Sequence, residues 1–294
     1  MSNPCLPPEP LDHIADLLHD ARPELRNCCL VSKSWIPRTR KHLFASIEFC
    51  YDTDLGSWKK AFPNPKTSPG RYTTTLGIGC SNVITAADAE AGGWTRGFSR
   101  LVYLEVGGTP LCPNESKISF VPLHGLSPVV KSLRMNFTKP PPPSVLDLAL
   151  SFPLLEDLAV STLFGAPNDG NLPTIVQPSN APPFTGSLEL SRGDVKPIAR
   201  PLLSLPGGIH FRKLTLRQLH EDILSLILGL VEGCSHTLKS LDLASHQDGT
   251  SVWYLCPCQW FTFVSSRARD TFGRPLGSDK TRRSGFLAGI AEHQ

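Results

Sequence analysis

Apolar residues recur along this chain in two rhythms, and the change from one to the other divides it. Leu11, Ile14, Leu17 and Leu18, then Leu25, Cys28 and Val31 or Ser32, stand three and four residues apart and lead on to Trp35. That spacing gathers side chains on one face of a helix. It predicts two short amphipathic helices folded as a hairpin, with apolar edges exposed for docking. Further on the rhythm shortens to two. A phrase of the form apolar-x-x-Leu-x-apolar returns at 101–106 (LVYLEV), 130–135 (VKSLRM), 155–160 (LEDLAV), 185–190 (TGSLEL), 211–216 (FRKLTL) and 238–243 (LKSLDL), with weaker precedents at 46–49 and 73–78. In each, two apolar residues flank a mostly polar one, which is the period of a short strand.

The central apolar residues are Ile47, Leu76, Leu104, Leu133, Leu158, Leu188, Leu214 and Leu241, separated by 25 to 30 residues. Those steps lie at or just past the roughly 20–29 residues of a leucine-rich repeat, in which each unit supplies one strand and a helix or looser return. One unit cannot bury its apolar face alone, so the units are expected to stack into a curved solenoid with one parallel sheet. The predicted fold class is α/β: a short helical module, then an irregular leucine-rich-repeat-like solenoid. Among the returns, 144–152 reads as a helix opened by Ser144 after a proline run, and 221–232 as the clearest helix, closed by Gly233. The Pro/Gly/Asn-rich stretch 165–183 reads as an exposed loop.

Residues between the two apolar positions of each phrase point away from the core. Glu105, Arg134, Ala159, Glu189, Thr215 and Asp242 occupy them, with a charge that changes from repeat to repeat. Glu105, Arg134, Glu189, Thr215 and Asp242 are therefore candidates for contact with a protein substrate, the alternative being a merely solvated face. From residue 247 the phrase stops. The segment 247–294 reads as an atypical tail, either disordered or an out-of-register product of the gene.

Composition narrows the classes. The chain has 294 residues, of which 28 are proline and only 19% charged, against usual shares of about 5% proline and a quarter charged; the fold should be rich in chain breaks. A net charge of +3 is too small to draw the chain to a phosphate backbone, so nucleic acid is not an expected partner. No apolar run approaches the length of a membrane span, and the first residues lack the pattern of a secretory leader. Nine scattered cysteines suit a reduced compartment better than a disulfide framework. The sequons at Asn114 and Asn136 then go unglycosylated, and the expected location is cytoplasmic, nuclear or both.

Catalytic patterns are missing. The chain contains no G-x-x-x-x-G-K-[ST], no H-E-x-x-H and no G-x-S-x-G. His220, Glu221 and Asp222 open the predicted helix, where carboxylates favour the positive end of its dipole. Cys256 and Cys258 lack the second ligand pair that zinc requires. Gly77 and Gly79 lack the third glycine of a dinucleotide loop. No enzyme activity, cofactor or metal is expected.

The run 6–44, LPPEPLDHIADLLHDARPELRNCCLVSKSWIPRTRKHLF, resembles the F-box in the form common in proteins of mushroom-forming fungi. The segment after it, YDTDLGSWKKAFPNPKTSPGRYTTTLGIG, is similar to what those proteins carry between F-box and repeats. The likeness covers residues 5 to about 80, is architectural over 98–245 and absent from the tail. It implies that the chain binds the Skp-family adaptor of a cullin-RING ubiquitin ligase and captures a protein substrate with its repeats. Carried over by position, the adaptor face and its supporting core fall on Leu6, Pro7, Leu11, Ile14, Leu17, Leu25, Leu30, Val31, Ser32 and Trp35. Where relatives usually carry leucine this chain has Pro10, harmless in the first turn of a helix and disruptive one turn later. The implied organisation is an F-box-like domain at 5–46, a connecting segment with the first irregular repeats at 47–97, a solenoid at 98–246 and the tail at 247–294. A ligase-independent binding scaffold, and more remotely an enzyme with a site in the repeat groove, are the alternatives.

Overall fold

The computed structural model describes residues 8–50, 52–79, 92–107, 120–126, 128–137, 144–162, 184–192, 195–205, 207–217, 223–244 and 252–255. The described residues through Tyr254 belong to one compact unit, and of the second, Leu255–Gln294, only its first residue is described.

Three helices open the chain rather than the predicted two. Helix α1 spans Pro8–Leu17 and α2 Arg22–Val31; a 3-10 turn over Lys33–Trp35 then leads into α3, Ile36–Leu43. The second helix does not run on to Trp35, because Ser32 turns extended, with φ −158° and ψ 149°. Its hydroxyl accepts from the amide of Ser34 and opens the 3-10 turn. Pro10 is the third residue of α1. The first amides of a helix have no partner within it, so this proline removes no helical hydrogen bond.

The strands follow as the phrases predict. They are β1 (Ser46–Phe49), β2 (Thr75–Gly79), β3 (Tyr103–Gly107), β4 (Ser132–Phe137), β5 (Asp157–Thr162), β6 (Ser187–Ser191), β7 (Lys213–Arg217) and β8 (Ser240–Ala244). They lie side by side in chain order, each pairing parallel with the next. The register places Ile47, Leu76, Leu104, Leu133, Leu158, Leu188, Leu214 and Leu241 in one continuous row. All but Ile47 are buried, and two residues further on Phe49, Ile78, Val106, Met135, Val160, Leu190 and Leu216 form a second buried row. The chain is thus an α/β protein with a parallel sheet, as the repeat spacing predicts.

Returns between strands differ widely. Helix α4 (Asp52–Ala61) and a 3-10 turn at Pro69–Tyr72 follow β1; 3-10 turns at Gly92–Gly97 and Val121–Gly125 precede β3 and β4. Helices α5 (Ser144–Leu150), α6 (Lys196–Leu203) and α7 (Leu224–Gly233) precede β5, β7 and β8. The predicted helices at 144–152 and 221–232 are thus α5 and α7, though α7 starts only at Leu224, and residues 221 and 222 lie outside the described residues. So does the predicted loop at 165–183. A ninth strand, β9 (Val252–Leu255), follows β8 in the sheet order, within the segment that lacks the repeat phrase. The remainder of the tail, 256–294, is outside the described residues.

One carbonyl at each strand entry holds the stack together. Ala45 accepts from the amides of both Thr74 and Thr75, and the same double acceptance recurs at Thr74, Val102, Lys131, Gly186 and Arg212 for the strand that follows. At the step into β6, Ser187 alone donates to the Glu156 carbonyl, at 2.7 Å. Gly186 lies hard against that carbonyl, which a Cβ at this position would overlap. Alanine at Gly186 is therefore expected to destabilise the fold by about 1–3 kcal/mol. Alanine at Gly56, in open space within α4, should stabilise it by about 0.5–1 kcal/mol through helix propensity. Denaturant midpoints of the two variants check the opposite signs.

Candidate functional site

Two surfaces carry the predicted site residues. On the helical module the apolar candidates divide by burial. Leu11 and Leu25 are buried with Ala15 and form the module's own core, whereas Ile14, Leu17, Leu30 and Val31 face solvent at 42, 70, 85 and 75% exposure. Trp35 is half-buried and Ser32 exposed. Leu6 and Pro7 lie outside the described residues. The structure thus separates residues that hold the module from residues that it offers.

Polar contacts fix the three helices against one another. Arg38 of α3 reaches the Asp16 carboxylate of α1 through both Nε, at 2.6 Å, and Nη2, while His42 Nε2 lies 2.7 Å from Asp16 Oδ1. The buried Thr39 hydroxyl donates to the Trp35 carbonyl at 2.8 Å, which leaves it to accept from the Cys29 thiol of α2 at 2.8 Å. Arg22 Nη2 donates to the Ser46 carbonyl at the start of β1, at 3.1 Å. Sequence reasoning missed the Asp16 cluster, for which the i, i+4 spacing of Arg38 and His42 was the available sign.

The second surface is the open face of the sheet. Glu48, Gly77, Glu105, Arg134, Ala159, Glu189, Thr215 and Asp242 form one row across it, in register. Arg134 is exposed, and Glu105, Glu189 and Asp242 are partly so. Thr215 is the correction: it is only 4% exposed, short beside the longer Glu189 and Asp242 that flank it in register, so it lies beneath the face rather than on it. A chain of hydrogen bonds crosses the strands. Tyr103 donates to Glu105 Oε2 at 3.3 Å, Asn136 Nδ2 to Glu105 Oε1 at 2.8 Å, and Ser161 to Asn136 Oδ1 at 2.7 Å. Near the other end Arg217 Nη2 donates to Asp242 Oδ2 at 3.1 Å. Burial, and after it the charge of Glu105, pushes the Tyr103 hydroxyl above its usual range. A hydrogen bond with Glu48, and then burial, does the same for the Cys50 thiol.

Among the described residues no group of three His, Cys, Asp or Glu side chains is placed to hold a metal ion, and no helix is long and apolar enough to cross a membrane. Compared with family models, with curated proteins and with solved structures, the chain matches none.

The Asp16 cluster carries a pH dependence. The hydrogen bond from Arg38, followed by that from His42, holds the Asp16 carboxyl well below the usual carboxylate range. A carboxylate whose pKa is lowered by folding stabilises the fold above its unfolded value, about 3.9, and ceases to do so as pH falls through its folded value. Asp16→Asn is therefore expected to lower the thermal midpoint at pH 7. That deficit should shrink steadily as the pH is taken below about 4. A deficit that stays constant down to acid pH would mean that Asp16 acts through packing alone.

Proposed function

We propose that this chain is the substrate-recognition subunit of a Skp-cullin-F-box type ubiquitin ligase. In this reading the helical module binds the Skp-family adaptor and the open sheet face captures a protein substrate. The observation that carries it is the display of four large aliphatic side chains, Ile14, Leu17, Leu30 and Val31, on a module whose interior is already filled by Leu11, Ala15 and Leu25. Side chains of this kind gain about 1.5–3 kcal/mol each when buried, so a partner with an apolar groove is their natural complement. The resemblance of residues 6–44 to the F-box names that partner.

The division of labour follows from what the two surfaces offer. Ubiquitin transfer would be performed by the partner subunits, and this chain would contribute proximity and orientation, worth up to several kcal/mol of barrier in favourable geometry. Pro10 does not count against the reading, since it sits in the first turn of α1.

Retention of the full chain on immobilised Skp-family adaptor tests the proposal. The wild type is expected to bind. Leu30→Asp with Val31→Asp should weaken binding by about a hundredfold or more while the thermal midpoint stays within a few degrees, because both positions are solvent-exposed. A folded wild-type chain that binds no adaptor would overturn the ligase reading in favour of a ligase-independent scaffold.

A further inference from the structure

The open face of the sheet is hollowed at its first strands. A groove of about 280 Å³ crosses β1, β2 and β3, and its floor is backbone, because Gly77, Gly79 and Gly107 line it. Gly77 pairs with Glu105 and Gly79 with Gly107 across β2 and β3, so the bare positions adjoin. Two of these glycines have a reason in the fold: a Cβ at Gly79 would come within 2.9 Å of the Cys50 carbonyl oxygen, and one at Gly77 within 3.0 Å of Glu48 Cγ. Among the described residues Gly107 has no such reason. A Cβ there meets no described atom within 4 Å, and its φ is not positive. Glycine weakens a strand, so at this position it keeps the groove open at a cost to β3.

The charge in the groove has one sign. Glu48 and Glu105 line it, and among the described residues no lysine or arginine does. Arg134, the register partner of Glu105 on β4, is exposed and is not part of the lining. The Glu105 carboxylate is held in place by Tyr103 and Asn136. Both donors are neutral, so they orient the charge without cancelling it, and the cation nearest in register, Arg134, stands on β4 outside the lining. Partial enclosure also screens it less than open surface would.

We propose that this groove takes the lysine or arginine side chain of an extended peptide segment, with the aliphatic stem on the glycine floor and the cationic head between Glu48 and Glu105. Both side chains combine an apolar stem with a charged tip and lie along a surface in this manner. The proposal rests on the reading of the sheet face as a capture surface and names what it captures, a basic segment of the substrate.

The test is a titration of the isotope-labelled full chain with acetylated, amidated peptides Gly-Ser-Xaa-Ser-Gly, where Xaa is lysine, arginine, norleucine or glutamate. The lysine and arginine peptides are expected to shift the amide signals of Gly77, Gly79 and Gly107 saturably, and the norleucine and glutamate peptides to leave them unmoved. Glu48→Gln with Glu105→Gln should weaken the affinity by about tenfold or more. Gly107→Val fills the groove with a residue that favours strands; it should abolish the shifts while the thermal midpoint holds or rises. Equal shifts from the norleucine or glutamate peptide, wild-type binding by a folded Gly107→Val chain, or no shift with any peptide would each overturn the proposal. No adaptor is present in this titration, so the groove and the adaptor reading fail or survive separately.

Discussion

The parallel register that sets one leucine of each repeat beside the next governs the rest of this structure. A slip of one residue would turn every apolar side chain of a strand to the opposite face, and the row from Ile47 to Leu241 permits none. The steps between its members range from 25 to 30 residues, so the variation has to be taken up elsewhere. It is absorbed by the returns, which range from a five-residue 3-10 turn at Val121–Gly125 to the ten-residue helix α4. The shared carbonyl at every strand entry from β2 to β8 but that of β6 reinforces this, since it ties two successive amides at the start of one strand to a fixed point on its neighbour. Because the leucines all turn inward, the alternate residues turn to the other face of the sheet, where most of them are at least partly exposed.

The helical module is bound into the same framework. Helix α3 ends at Leu43 and β1 begins at Ser46, with only Phe44 and Ala45 between them. Trp58 of α4 lies against Phe44, Phe49, Phe62 and Phe98, at centroid separations of 4.6 to 6.3 Å. Thr73 donates to the Phe44 carbonyl at 2.8 Å, and Arg22 to that of Ser46. Aromatic contacts of this number at a junction resist bending. The helices are therefore held at a fixed attitude to the sheet.

The strands were legible in the sequence because period two survives short lengths and because eight copies could be compared. The helices were less so. In α6 the two prolines, Pro197 and Pro201, hide a helix whose Ile198, Ala199 and Leu202 are buried. In α3 the run IPRTRKHL is mostly polar, so nothing announces a third helix. Periodicity grouped Leu11, Ile14, Leu17 and Leu25 together, yet Leu11 and Leu25 are core while Ile14 and Leu17 are surface; a helical rhythm marks a face without saying what covers it. The polar face posed the same difficulty in reverse. Thr215 shares its position in the phrase with Glu105 and Asp242 and still lies buried, because cover depends on the neighbouring strands. The contacts of Glu105 with Asn136 and of Asn136 with Ser161 cross from one repeat to the next, and no single repeat contains them.

Burial on the helical module also decides what an apolar substitution there would mean. Leu25 is fully enclosed, so removing it leaves a cavity and weakens the fold. Leu30 and Val31 end α2 just where Ser32 turns extended, and the chain departs before any other element can cover them. A folded monomer gains nothing from two aliphatic side chains in water, and their removal should leave its stability nearly unchanged. Position along one ten-residue helix thus separates the residue that holds the fold from those left in water. A similar separation holds on most of the sheet, where the inward leucine of a strand is buried and the residue beside it lies at least partly in water, Thr215 excepted.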